Sequence, residues 1–364
     1  MIVEASTIAL IYGLYKKLSS KKNSYKNKLN QLYRRNKSFI NPLGETPILL
    51  DHNETNFGTR LLLDIGKVMS FNDFLSEKDV LETYFKSKIE IEKLSNGDIQ
   101  MDLITKDLFQ KEYEPVKTEE FQLYCGLDKE FKPIISNMHY NTNALICGDI
   151  GTGKSSLLLA MLYNLLNSSN DNFFLLLVQL VKSDLTLLKN YHQVKEVITD
   201  MDHLQRRLLS LENIIKDREN AIKELSNLKI YDIKSYNAHF QDNKMKYIYL
   251  VIEEFSYLSV NKSDTKEVKE MKNSILNSLC KIVNVARAYG IILIIAIQKA
   301  TSDTLDSRIK AQLRTRIAFR QDNTTSNVLM KSDTENLKNR ECIVKLDNEI
   351  TSIVPIFKIE NYLT

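Results

Sequence analysis

The sequence predicts an α/β protein with a largely parallel sheet, preceded by a small α+β domain and a basic N-terminal arm. Three observations carry this reading. From about residue 121 onward, apolar runs of strand length alternate with helical periodicities, the pattern of a sheet covered on both faces. A glycine-rich loop joins one of these strands to one of these helices. Charge is also unevenly placed: residues 1–44 hold nine Lys and Arg against Glu4 alone, a local +8, so the formal +4 of the chain leaves residues 45–364 at −4.

At 364 residues, 43% hydrophobic and 26% charged, the chain reads as globular, with two or three domains. Four scattered cysteines and five histidines show no C-x-x-C pair and no metal-ligand spacing, which argues against a disulfide framework or zinc site and fits a reducing, cytoplasmic setting. The division expected is 1–44 arm, 45–115 small domain and 116–364 large domain.

In the arm, Ile2–Tyr15 is apolar but has only 14 residues and contains Glu4. About 20 residues are needed to cross a bilayer. The positive charges follow the apolar stretch, the reverse of a signal peptide. A basic flank of this kind meets nucleic-acid phosphates or an anionic membrane face. Peripheral membrane contact through residues 1–37, at the cytoplasmic face, is therefore one expectation, and a solvated or protein-packed tail is the other.

In the small domain, Pro47–Asp51 and Thr59–Asp64 read as short strands. Phe71–Phe85 has a helical stripe through Phe74, Leu75, Val80, Leu81 and Phe85. Lys88–Leu94 and Ile99–Ile104 flank Asn96-Gly97, a hairpin turn whose residues tolerate positive φ.

In the large domain the expected strands are Ala144–Cys147, Phe173–Val178, Tyr247–Ile252, Ile291–Ile297, Ile317–Arg320, Ile343–Leu346 and Ile353–Phe357. The expected helices are Lys154–Leu166, His203–Leu228, Val268–Tyr289 and Leu305–Leu313.

Residues 148–155, G-D-I-G-T-G-K-S, match the phosphate-binding pattern G-x-x-x-x-G-K-S/T in its required strand–loop–helix context. Backbone N–H groups of Gly148, Asp149, Ile150, Gly151, Thr152 and Gly153 would cradle phosphate oxygens. The helix N-terminus with Ser155 and Ser156 adds positive potential. Lys154 reaches the β and γ phosphates, and the Ser155 hydroxyl can ligate Mg²⁺, so ATP and Mg²⁺ are the expected ligands.

The strand Y-I-Y-L-V-I-E-E ends in two acids. Glu253 stands where a carboxylate holds Mg²⁺ through water. Glu254 is placed to orient and deprotonate the attacking water. Gln298, ending I-I-L-I-I-A-I-Q, is a candidate sensor of the γ-phosphate or a simple strand cap.

Several segments together resemble the FtsK/SpoIIIE family of DNA-translocating ATPases. C-G-L-D-K-E-F-K-P-I-I-S-N (Cys125–Asn137) is similar to its G-L-D-x-x-G-x-P entry segment. V-A-R-A-Y-G-I-I-L-I-I-A-I-Q (Val285–Gln298) is similar to R-A-x-G-I-H-L-x-x-A-T-Q. I-K-A-Q-L-R-T-R-I-A-F-R (Ile309–Arg320) is similar to I-K-x-N-x-x-x-R-I-A-F-R, and Tyr236-Asn237 to its Y-N element. The resemblance covers about residues 45–360. It departs at Gln179 and Val181, where the family's D-P-K-x-x-E/D-L segment has Asp and Lys, at Ile297 in place of Thr, and at Lys299-Ala300 in place of R-P.

The resemblance implies a RecA-like P-loop ATPase motor, hexameric around double-stranded DNA, with ATP between subunits. Arg287 matches the family arginine that reaches a neighbour's γ-phosphate, and Arg316 and Arg320 are further candidates for phosphate or interface contacts. The motor's last strand lies close to Thr364, so the winged-helix and multi-span membrane domains of chromosome-segregating members are not expected. That favours a compact coupling protein in plasmid or conjugative-element DNA transfer, with a relaxase or transfer-complex partner. The alternatives are a chromosome-partitioning or phage-encoded translocase and a non-catalytic nucleotide-binding ring subunit or adaptor. Lys182 is a weak candidate for gripping DNA, and Lys262–Lys272 reads as a solvated mixed-charge helix face.

Overall fold

The computed structural model describes residues 22–106, 113–181, 184–301, 303–322, 334–346 and 349–355. The apolar tip of the arm, Lys182 and the end of the last expected strand lie outside the described residues. The chain divides into two compact units, Met1–Leu108 and Phe109–Thr364.

The first unit begins, within the described residues, with helix α1 (22–35). Strands β1 (Ile48–Glu54) and β2 (Gly58–Asp64), helices α2 (Phe71–Ser76) and α3 (Lys78–Phe85), and strands β3 (Lys88–Lys93) and β4 (Ile99–Ile104) follow. The four strands form an antiparallel sheet in the order β1-β2-β4-β3. Although α1 falls in the span read as an arm, its Leu29, Leu32 and Tyr33 are buried in one core with Phe39, Phe74 and Leu81.

The helix expected over 71–85 is interrupted at Glu77. The Ser76 hydroxyl bonds the Asp73 carbonyl at 2.7 Å, occupying the acceptor that the next helical N–H would use. The Glu77 N–H turns instead to Phe74 and Leu75. Ser70 and Asp73 cap α2 reciprocally.

The second unit opens with an antiparallel hairpin, β5 (Gln122–Leu127) and β6 (Pro133–Asn137), formed by the entry segment. Next come β7 (Ala144–Cys147), α4 (Lys154–Ser168), β8 (Phe173–Gln179), β9 (Val194–Ile198), α5 (Met201–Glu224), α6 (Ile233–His239), β10 (Tyr247–Glu253), α7 (Lys266–Tyr289), β11 (Ile291–Ile297), α8 (Ser307–Gln312), β12 (Thr315–Phe319), β13 (Glu341–Leu346) and β14 (Glu349–Pro355).

The sheet has eight strands in the order β14-β13-β12-β7-β11-β10-β8-β9. The six strands from β12 to β9 are mutually parallel, and β13 and β14 add antiparallel to them. One face packs α4 and the β5–β6 hairpin, the other α5 and α7. Every residue of β7 and β11 is buried, which explains their continuous apolar runs.

The central strands lie where the sequence predicts them, and the β5–β6 hairpin, β9 and α6 are additions to that prediction. β9 (V-K-E-V-I) is a partly exposed edge strand with two charges. α6 is seven residues long, and its Asn237 clips both backbone groups of Met245.

Candidate active site

The strand order sets the site. β7 carries the phosphate loop at its C-terminal end, β10 carries the acids, and β11 lies between them. Ligands of open α/β sheets bind outside the C-terminal strand ends.

The loop is anchored from both sides. The Gly148 N–H donates to the Gln298 carbonyl at 3.2 Å, and the Asp149 N–H to the Arg320 carbonyl at 2.9 Å, so these two N–H groups anchor the loop and do not join the phosphate cradle expected of them. Gly148 takes φ 150°, and a Cβ there would lie 2.5 Å from the Phe319 Cβ on β12. Gly153 takes φ 117°, and a Cβ would meet the Phe319 ring at 3.0 Å and the Arg340 Cα at 3.2 Å. Glycine is therefore required at both positions by sterics and by dihedral.

Lys154 curls over the loop, its ammonium bonding the carbonyls of Gly148 and Asp149 at 2.7 and 2.8 Å. Burial pulls it below the usual lysine range, and the Glu254 carboxylate acts against that shift. Thr152 closes the loop by donating to the Asp149 carbonyl at 2.7 Å. Ile150 and Gly151 stand exposed at its tip. Ser155 and Ser156 open α4.

The Ser155 hydroxyl donates to Glu253 Oε1 at 2.9 Å. A hydroxyl and a carboxylate held this close, beside a lysine and open backbone N–H groups, match the oxygen ligands that Mg²⁺ takes in phosphate sites. Glu254 leaves β10 in the left-handed region, φ 55° and ψ 61°, which turns it away from the strand. Gln298 Nε2 donates to Glu254 Oε2 at 3.1 Å, and the Ser256 hydroxyl donates to Oε1. A cleft of 520 Å³ opens here, lined by Asp149, Ile150, Ser256, Gln298, Lys299 and Thr304.

Lys154, Ser155, Glu253, Glu254 and Gln298 thus converge. Arg287 does not join them. It is exposed near the C-terminal end of α7, just before β11 begins, whereas Gln298 follows the end of that strand. Seven strand residues separate the N-terminal and C-terminal ends of β11 by about 20 Å. Arg316 closes the end of α8, its Nε donating to the Leu313 carbonyl at 2.9 Å. Arg320 is exposed beside the phosphate loop.

Gln179, in register with Glu253, has a buried Oε1 without a hydrogen-bond partner among the described residues. Lys272 is the exception to the solvated face expected over Lys262–Lys272, where Lys262, Lys266 and Glu270 are exposed. It is 5% exposed, bonding Asp264 Oδ2 and the Ser259 carbonyl at 3.0 Å each. Its position on the inward side of α7, over the turn that follows Glu254, removes it from water.

Two contributors had no signal in the sequence. Ser256 reaches Glu254 only because Glu254 is left-handed. The Arg340 N–H donates to the Thr152 carbonyl at 2.7 Å, a contact made by chain topology.

The sequence model of the FtsK/SpoIIIE family matches residues 107–303, more than half of the chain. A DNA translocase FtsK of Treponema pallidum is 30% identical over 204 residues, covering 53% of this chain and 24% of its own length. The DNA translocase FtsK of Helicobacter pylori is 26% identical over 224 residues, covering 60% and 24%. The DNA translocase SftA of Bacillus subtilis is 27% identical over 202 residues, covering 53% and 20%. The chain thus spans about a quarter of the length of the curated relatives it matches.

Among solved structures, the pCW3 conjugation coupling protein TcpA, in a monomer form with ATPγS, superimposes with a TM-score of 0.63 at 19% identity. The match covers 93% of this chain and 96% of that one. EssC of Geobacillus thermodenitrificans (ATPases 2 and 3) gives 0.58 at 16% identity, over 70% and 48%. These likenesses bear out the P-loop ATPase fold expected from the sequence.

Proposed function

The chain belongs to the FtsK/SpoIIIE family, and from that premise we propose that it is an ATPase that moves double-stranded DNA, acting as a coupling protein in plasmid or conjugative-element transfer. The observation that carries the proposal is the convergence of Lys154, Ser155, Glu253, Glu254 and Gln298 at the ends of three adjacent strands.

In the mechanism, loop N–H groups and Lys154 hold the triphosphate. Lys154 exchanges its two loop carbonyls for phosphate oxygens, a trade favoured by the negative charge of the ligand. Ser155, with Glu253 through water, would hold Mg²⁺, which when bound neutralises phosphate charge. Glu254 orients the attacking water and takes its proton, and Gln298, bonded to Glu254 and one strand from the loop, registers the γ-phosphate.

Arg287, at the opposite, N-terminal end of β11, serves a neighbouring subunit in a homo-hexamer. A guanidinium there adds transition-state stabilisation that makes hydrolysis depend on assembly. Grip on the DNA is through its phosphates and therefore salt-sensitive. The basic arm supplies recruitment, to a relaxase or transfer complex or to the cytoplasmic membrane face. No helix among the described residues is long and apolar enough to cross a membrane.

The test is hydrolysis of ATP with and without duplex DNA, together with strand displacement from a triplex. The expected result is DNA-stimulated hydrolysis that Lys154→Ala and Glu254→Gln each abolish, with triplex displacement lost in parallel. A wild type without such hydrolysis sinks the reading.

A further inference from the structure

We propose that Ser256 is a positioning residue for the Glu254 carboxylate, fixing the orientation in which that group meets the attacking water. The inference rests on the ATPase reading above and adds a residue to it.

A free carboxylate rotates broadly about its terminal torsion. In Glu254 that rotation is stopped from both sides. Gln298 donates to Oε2 from the neighbouring strand, and Ser256 donates to Oε1 from the same turn. Each carboxylate oxygen has a second lone pair, so both donors can stay in place while the group accepts a proton from water.

The backbone is shaped for this contact. A left-handed conformation is uncommon for a residue with a side chain. At Glu254 it folds the chain back so that the hydroxyl two residues on reaches the carboxylate. The turn itself does not need that hydroxyl: it closes through the Ser259 N–H, which donates to the Ser256 carbonyl. Phe255 and Leu258, both fully buried, pin the turn on either side. Beyond it, the Ser259 hydroxyl donates to the Thr304 carbonyl at 3.0 Å, and Lys272 holds the Ser259 carbonyl. Ser256 therefore sits on a fixed base, and it faces the same 520 Å³ cleft as the loop residue Asp149 and Gln298.

The experiment is steady-state ATP hydrolysis on duplex DNA by the full chain. General-base catalysis contributes at least about a hundredfold, and a base free to rotate loses part of that. Ser256→Ala is expected to lower kcat about tenfold, with KM for ATP changed less than about twofold, because the ground-state contacts to ATP are elsewhere. Ser256→Thr keeps the hydroxyl and is expected to restore kcat to within about twofold of wild type. An unchanged or higher kcat in Ser256→Ala overturns the proposal, as does a Ser256→Thr as slow as Ser256→Ala. Lys154→Ala is measured alongside. If wild-type hydrolysis does not depend on Lys154, the ATPase reading and this one fall together. If it does and Ser256→Ala hydrolyses normally, only the role of Ser256 falls.

Discussion

Ser155 and Glu253, 98 residues apart in the chain, meet in a hydrogen bond of 2.9 Å. The pair joins the start of α4 to the end of β10 and sets one side of the proposed Mg²⁺ site. Ser155→Ala and Glu253→Ala are each expected to raise the Mg²⁺ concentration needed for tight nucleotide binding by about tenfold. A titration of a fluorescent ATP analogue across Mg²⁺ concentrations reads this directly. Equal Mg²⁺ requirements in wild type and variants would count against the assignment.

Gly148 has no room for a side chain. A Cβ would lie 2.5 Å from Phe319, on a backbone at φ 150°. Gly148→Ala is expected to destabilise the second unit by about 3 kcal/mol, combining dihedral strain with overpacking. Denaturant unfolding followed by far-UV circular dichroism measures the loss.

His139 stacks on Phe121 at 4.2 Å between ring centres, with Tyr247 Oη 3.2 Å from its Nε2. Burial lowers its pKa from 6.5 to about 4. Lys234 and Arg287 push the same way, and Asp232 and Glu120 oppose. Above pH 6.5 neither the folded nor the unfolded state holds this proton. Between 6.5 and about 4 only the unfolded state does, so stability falls with pH across that window and levels off below it. His139→Gln is expected to make that fall shallower, by up to about one proton of pH dependence. Chemical denaturation midpoints from pH 7 to pH 4 give the comparison.

Leu32 on α1 is 3% exposed in the core of the first unit. Leu32→Ala is expected to cost about 2–4 kcal/mol there. Hydrogen exchange of the β1 and β2 amides would accelerate accordingly. Unchanged exchange would show α1 to be dispensable for that sheet.

The sequence made the central sheet legible because β7, β8, β10 and β11 are buried on both faces, so composition alone marks them. It made Lys154, Ser155, Glu253 and Glu254 legible because strand ends and a fixed loop spacing dictate their positions. β9 escaped because an edge strand is neither fully apolar nor strictly alternating. Glu77 escaped because a serine bonding back to a carbonyl leaves the apolar stripe on both sides intact. Ser256 and Arg340 escaped for a deeper reason. Their contacts depend on a left-handed residue and on a return of the chain from residue 340, and neither leaves a local pattern.

The position of β7 between β11 and β12 also bears on how the protein is made. β7 is the first strand of the large sheet to be synthesised, yet both of its hydrogen-bonding neighbours come from residues 291–319. A nascent chain carries an apolar strand and a glycine loop without a partner for most of the length of the unit. Non-local pairing of this kind is slow and leaves strand edges exposed meanwhile. The phosphate loop gains its anchor on the Arg320 carbonyl and its packing against Phe319 only with the last parallel strand to be made.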